Sequence, residues 1–170
     1  LMSKVSRNIL SIAKLSIGYG SKTVANNINF DLEAGMLCGV VGINGIGKST
    51  LLRTLAGFQP KLFGNILLHG EPLEKYTSNT LSKELSVVLT EQPASKNLTV
   101  QELIALGRQP YTNWLGTLSK EDRQQIQASL DAFLLNELRN NKCHELSDGQ
   151  LQRVLVARAM AQDTSLILLD

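Results

Sequence analysis

An α/β fold with antiparallel strands near its N-terminus and an inserted α-helical subdomain is what this sequence predicts, on three observations. Residues 42–50 read GINGIGKST and match G-x-x-x-x-G-K-[ST] at every specified position. An apolar run at 36–41 leads into that loop as a buried parallel strand would, and a helix-forming stretch follows it. A second apolar run, 166–169, comes after another helical stretch and ends on Asp170. Buried strands alternating with helices point to an α/β core with a largely parallel sheet.

The elements follow in order. Residues 9–19 and 24–32 alternate loosely between apolar and polar, and the link Gly18-Tyr19-Gly20-Ser21-Lys22 is turn-rich, which predicts two antiparallel strands. Glu33-Ala34-Gly35 turns the chain into the run at 36–41, where Cys38 reads as a small core hydrophobe. A helix is expected from Lys48 to about Ala56, ended by Gly57 and barred from continuing by Pro60. Short strands are expected at 65–69 and within 84–90, the second stopped by Gln92-Pro93.

The character then turns helical. Thr99-Val100-Gln101-Glu102 is a capping box that opens a helix through Leu106. Gly107, Pro110, Asn113 and Gly116 make a loop of breakers, and Ser119-Lys120-Glu121-Asp122 opens a further helix. Ile126, Leu130, Phe133, Leu134 and Leu138 fall at helical spacing and read as its core-facing stripe.

Bulk properties exclude some roles. With 17 Lys and Arg against 15 Asp and Glu, and no basic stripe, nucleic acid is not an implied partner. The two cysteines, Cys38 and Cys143, match no metal or redox spacing. No apolar run approaches the ~20 residues that span a bilayer, and no signal peptide is visible.

Each fixed position of the loop has a physical task. Gly42, Gly45 and Gly47 let the backbone curl with its N–H groups inward around a polyphosphate, Lys48 brings a mobile charge to the outer phosphates, and Ser49 offers a hydroxyl to magnesium. The helix that follows adds a positive N-terminus. Ser147-Asp148-Gly149-Gln150 opens a second helix, to about Gln162, with capping-box spacing. On capping physics alone it reads as an ordinary capped helix, although an anion would also suit its N-terminus. Asp170 ends an apolar strand, where ligands gather in open α/β sheets, and a carboxylate there can hold magnesium beside the loop serine.

Taken together, GINGIGKST, Gln92, LSDGQLQRVLVARAMAQ and LILLD resemble the ATPase subunit of an ATP-binding-cassette (ABC) transporter over nearly the whole chain. The segment Ala105-Leu106-Gly107-Arg108-Gln109-Pro110, with Trp114-Leu115-Gly116, resembles the branch that energises iron-siderophore, haem and vitamin B12 importers. The resemblance implies a P-loop NTPase core at 1–93, a helical subdomain at 94–145, and a signature helix with a returning Walker-B strand at 146–170. It implies ATP and Mg2+ as cofactors. Tyr19 would stack on adenine with Val24 beside it, and Asn44, Gly45, Gly47, Lys48, Ser49 and Thr50 would hold the phosphates. Ser49, Gln92 and Asp170 would hold the metal, and Lys48, Gln92 and Asp170 would serve catalysis. Ser147, Gly149 and Gln150 would clamp the γ-phosphate of ATP held by a second copy, head to tail. Residues 93–110 would dock a membrane permease at the cytoplasmic face of the membrane, with an extracytoplasmic substrate-binding protein as an indirect partner. A non-transport cassette of the same superfamily is the alternative. A GTPase is disfavoured, because Asn141-Lys142-Cys143-His144 lacks the Asp of the guanine-reading N-K-x-D.

Two departures from the family pattern stand out. Asp148 replaces the first glycine of LSGGQ, which places a carboxylate near a phosphate-facing helix end. The catalytic Glu expected after Asp170 and the switch His do not occur in the sequence, so a truncated cassette is expected. As it stands it should hydrolyse ATP poorly, and either bind nucleotide weakly or be insoluble.

Overall fold

The computed structural model describes residues 8–89 and 97–170. Packing divides the chain into two units: residues 1–78 with Asp170, and residues 79–169.

In the first unit, β1 (Asn8–Tyr19) and β2 (Lys22–Glu33) form an antiparallel hairpin that closes at the pair Tyr19 and Lys22. Gly20 supplies the left-handed turn residue, with φ 56°. β3 (Phe63–Leu68) pairs antiparallel with β1, and β4 (Glu71–Pro72) with β3, giving the order β2-β1-β3-β4. The inward side chains of β1, namely Leu10, Ile12, Leu15 and Ile17, are buried with Ile66 and Leu68 of β3. Each such side chain contributes about 1.5–3 kcal/mol on burial. α1 (Lys48–Leu55) lies against β1 and buries Leu51 and Leu55, and Gly57 (φ 74°) terminates it as expected.

The run at 36–41 does not form the buried strand that its composition predicts. It belongs to no ladder, and Leu37 is 98% and Val41 97% exposed. Cys38 is exposed too, so it is not a core residue. Apolarity shows that a run would gain from burial, whereas a strand also needs a partner for its N–H and C=O groups. Among the described residues nothing pairs with this run.

In the second unit, β5 (Leu85–Val88) and β6 (Leu166–Leu169) pair in parallel, which among the described residues is the one parallel pair. The parallel character is thus narrower than the sequence suggests. The core of this unit is α-helical: α3 (Val100–Ala105), α4 (Lys120–Ala132) and α5 (Asp148–Ala161) bury Val100, Leu103, Ile104, Ile126, Leu130 and Val154 together. α2 (Ser78–Glu84) precedes β5. Capping boxes at Thr99 and Ser147 open α3 and α5 as the sequence predicts, and the helix start expected at Ser119 proves to carry one as well.

α4 ends one turn early. Leu134 adopts φ 53° and is 80% exposed, and Leu135 takes the core position instead. A left-handed residue shifts the register of the stripe by one, so Leu138 packs from a 3-10 turn, Asn136–Leu138, rather than from the helix.

Candidate nucleotide-binding site

The loop at 42–50 is shaped by its glycines. Gly45 (φ 81°) and Gly47 (φ 107°) occupy backbone conformations that side chains rarely tolerate. A Cβ on Gly47 would lie 2.5 Å from Val24 Cγ1, so β2 packs directly on the loop where it enters α1. Gly47 is the N-cap of α1 and contributes no side-chain cap, and the first turn carries no acidic residue. The N-terminal amides of α1 and its dipole are therefore open to an anion.

Lys48 folds back across the loop, where its Nζ donates to the carbonyls of Gly42 at 2.8 Å and Ile43 at 3.0 Å. The ammonium thus sits over the crown of the loop, where the outer phosphates of a nucleotide would lie. Ser49 Oγ donates to Asp170 Oδ1 at 2.8 Å. Residues 121 positions apart are thereby joined within the first unit. A hydroxyl and a carboxylate brought together are the hard oxygen donors that Mg2+ takes, so Ser49 and Asp170 would hold such a cation. No cluster of three or more His, Cys, Asp or Glu exists among the described residues. A cation would therefore take its other oxygens from phosphate and water, as Mg2+ commonly does.

Tyr19, at the end of β1, is 57% exposed, and its hydroxyl shares a 3.3 Å hydrogen bond with Thr50 Oγ1. The ring is open to stacking while its edge is tied to the loop. Asn44 sits in the turn at the loop's outer end, beside Gly45. The structure thus gathers Tyr19, Val24, the loop residues and Asp170 in one unit. Gln92 lies outside the described residues.

Ser147, Gly149 and Gln150 lie in the second unit. Gln150 N donates to Ser147 Oγ at 3.3 Å, and Ser147 N donates to Gln150 Oε1 at 2.9 Å. A Cβ on Gly149 would meet nothing within 4 Å, so backbone and ligand can approach closely there.

The sequence does not reveal a buried ionic node at Arg108. Its Nε donates to Asp122 Oδ1 at 2.8 Å, and its NH1 to the Ala161 carbonyl at 2.9 Å. Burial opposes the charge on Asp122, but the Ser119 backbone N–H and the Arg108 guanidinium outweigh it and hold the carboxyl below its usual range. An arginine in a breaker-rich loop reads as exposed, and nothing in the spacing to Asp122 signals a pair.

The ABC transporter family model matches residues 25–170. The chain belongs to the ABC transporter family. Membership implies ATP as the nucleotide. Among similar proteins, the cassette is 38% identical over 161 residues to the probable siderophore transport system ATP-binding protein YusV of Bacillus subtilis, covering 95% of this chain and 58% of that protein. It is 34% identical over 157 residues to the ferric enterobactin transport ATP-binding protein FepC of Escherichia coli, covering 92% and 58% respectively. In structure it resembles an ABC transporter assigned to the metal-chelate type, solved in an inward-facing conformation, with TM-score 0.81 and 30% identity over 96% of this chain and 60% of that one. The cassette therefore spans about three-fifths of the length of these relatives. No helix among the described residues is long and apolar enough to cross a membrane.

Proposed function

We propose that this cassette is the ATP-binding part of a transport ATPase that drives uptake of an iron chelate through a membrane permease at the cytoplasmic face. The observation that carries the reading is the 2.8 Å approach of Asp170 to Ser49 at the mouth of a loop already crowned by Lys48. That is the arrangement a magnesium–triphosphate needs, with loop amides and an ammonium for the phosphates and a hydroxyl with a carboxylate for the cation. Bound Mg2+ would neutralise charge developing on the phosphates. Tyr19 and Val24 form the proposed adenine side. Lys48 holds the outer phosphates, Gln92 attends the metal and attacking water, and Ser147, Gly149 and Gln150 close on ATP carried by a second copy.

The proposed division is a nucleotide-binding core at 1–93, a helical subdomain at 94–145, and a signature helix and strand at 146–170. Residues 93–110 dock the permease, and an extracytoplasmic binding protein delivers the cargo. The siderophore and enterobactin systems named for similar proteins support the choice of cargo class.

The test is reconstitution of the whole protein with its permease in vesicles, supplied with a labelled ferric siderophore. ATP turnover and uptake should rise together with Mg2+ and vanish in Lys48→Ala. Turnover indifferent to permease and to chelate would overturn the transport reading, leaving a cassette that gates some other interaction.

A further inference from the structure

Gly107 and Arg108 lie apart from the nucleotide loop and from the turn that opens α5, and they close tightly on the far end of α5. A 3-10 stretch, Leu106–Tyr111, follows α3 directly and turns two adjacent residues inward. Leu106, Gln109 and Tyr111 face solvent, while Gly107 and Arg108 are buried against the last turn of α5. A Cβ on Gly107 would lie 2.3 Å from the Arg158 carbonyl, so only glycine permits this approach.

Arg108 is 4% exposed and Asp122 3%. The guanidinium reaches two other elements at once. It donates to the Ala161 and Gln162 carbonyls at the end of α5, at 2.9 and 3.4 Å, and it pairs with Asp122 at the start of α4. Asp122 in turn accepts from the Ser119 N–H at 2.8 Å, and the Tyr111 ring covers the guanidinium at 4.0 Å. A planar fork with five donors suits this task, and an ammonium does not.

α5 carries Ser147 at its other end, about 20 Å away at 1.5 Å per residue. Its Val154, Ala157, Ala159 and Ala161 are almost wholly enclosed, so in a close-packed interior the helix moves as one body. We propose that Arg108 is a positioning residue for the signature end of α5: it fastens the permease-facing segment to that helix, so that displacement of one moves the other. This rests on the docking and clamp roles given under Proposed function.

The experiment uses the whole protein assembled with its permease. Arg108→Met with Asp122→Asn removes both charges and leaves an oxygen for the Ser119 N–H. Arg108→Lys keeps the charge but cannot span both elements. Melting temperature, KM for ATP and kcat are measured for each. The expected result is a variant that still unfolds in one cooperative step and keeps KM within twofold, with kcat at least fivefold lower in the double variant and about threefold lower in Arg108→Lys. Should the double variant fail to fold, Arg108→Lys carries the test. Wild-type kcat in either folded variant overturns the proposal. Absence of permease stimulation in the wild-type protein overturns the transport reading, and this proposal with it.

Discussion

Replacing Gly47 with alanine tests the loop where its geometry is most demanding. The residue sits at φ 107°, outside the regions open to side chains, and its new Cβ would lie 2.5 Å from Val24 Cγ1. The backbone strain is of order 1–3 kcal/mol. The contact is about 1 Å shorter than the van der Waals optimum, and relieving such overpacking costs about 1–3 kcal/mol. Together these predict a loss of about 2–6 kcal/mol. If the loop keeps its shape, the loss appears as lowered stability. If the loop relaxes, the cradle opens and ATP affinity falls, by about 30-fold at the lower bound. Urea unfolding and ATP titration on the same preparations measure both. Adding Val24→Ala should recover the packing share, about 1–3 kcal/mol of stability, and leave the strain. Gly47→Ala with wild-type stability and wild-type affinity would refute the account of the loop.

Asp170→Asn should weaken ATP binding about tenfold in Mg2+ and change it little in EDTA, because the lost group is a cation ligand; calorimetric titration in both buffers decides this. Ser147→Ala removes a formed capping box and should cost about 1 kcal/mol, read as a melting temperature about 2–4 °C lower. Asp122 has a lowered carboxyl pKa in the folded protein, so its ion pair contributes stability that is complete above the unfolded value of about 3.9 and is lost as pH falls through the folded value. Asp122→Asn should therefore lower stability by about 3–5 kcal/mol near neutrality. Its unfolding curve should converge on that of wild type in acid, and parallel curves from pH 7 to pH 2 would count against the pairing.

What could be read in advance was local chemistry. The capping boxes at Thr99, Ser119 and Ser147 use partners three residues apart, and all three form. Gly45, Gly47 and Gly57 take the left-handed conformations their positions demand. The failures are all of partnership. Residues 36–41 carry the composition of a central strand, yet ladder pairing depends on distant segments that composition does not name. Leu134 and Leu135 are equally apolar, and a single left-handed residue decides which one is buried. Ser49 and Asp170, 121 residues apart, could be linked through the chemistry of a carboxylate ending a strand beside a phosphate loop, not through local spacing. Arg108 and Asp122 had no pattern to link them at all.

The hold of Lys48 on the Gly42 and Ile43 carbonyls bears on which anions can compete for the loop. Its ammonium is already satisfied twice over, so a visiting anion must offer more than those two oxygens before the side chain swings across. A lone inorganic phosphate or chloride gains little from that exchange. A chain of phosphates, filling the amide ring and the ammonium together, gains at both ends. The lysine's resting bonds thus set the cost that any visiting anion must meet before it draws the ammonium across, whatever it gains from the open amides of α1.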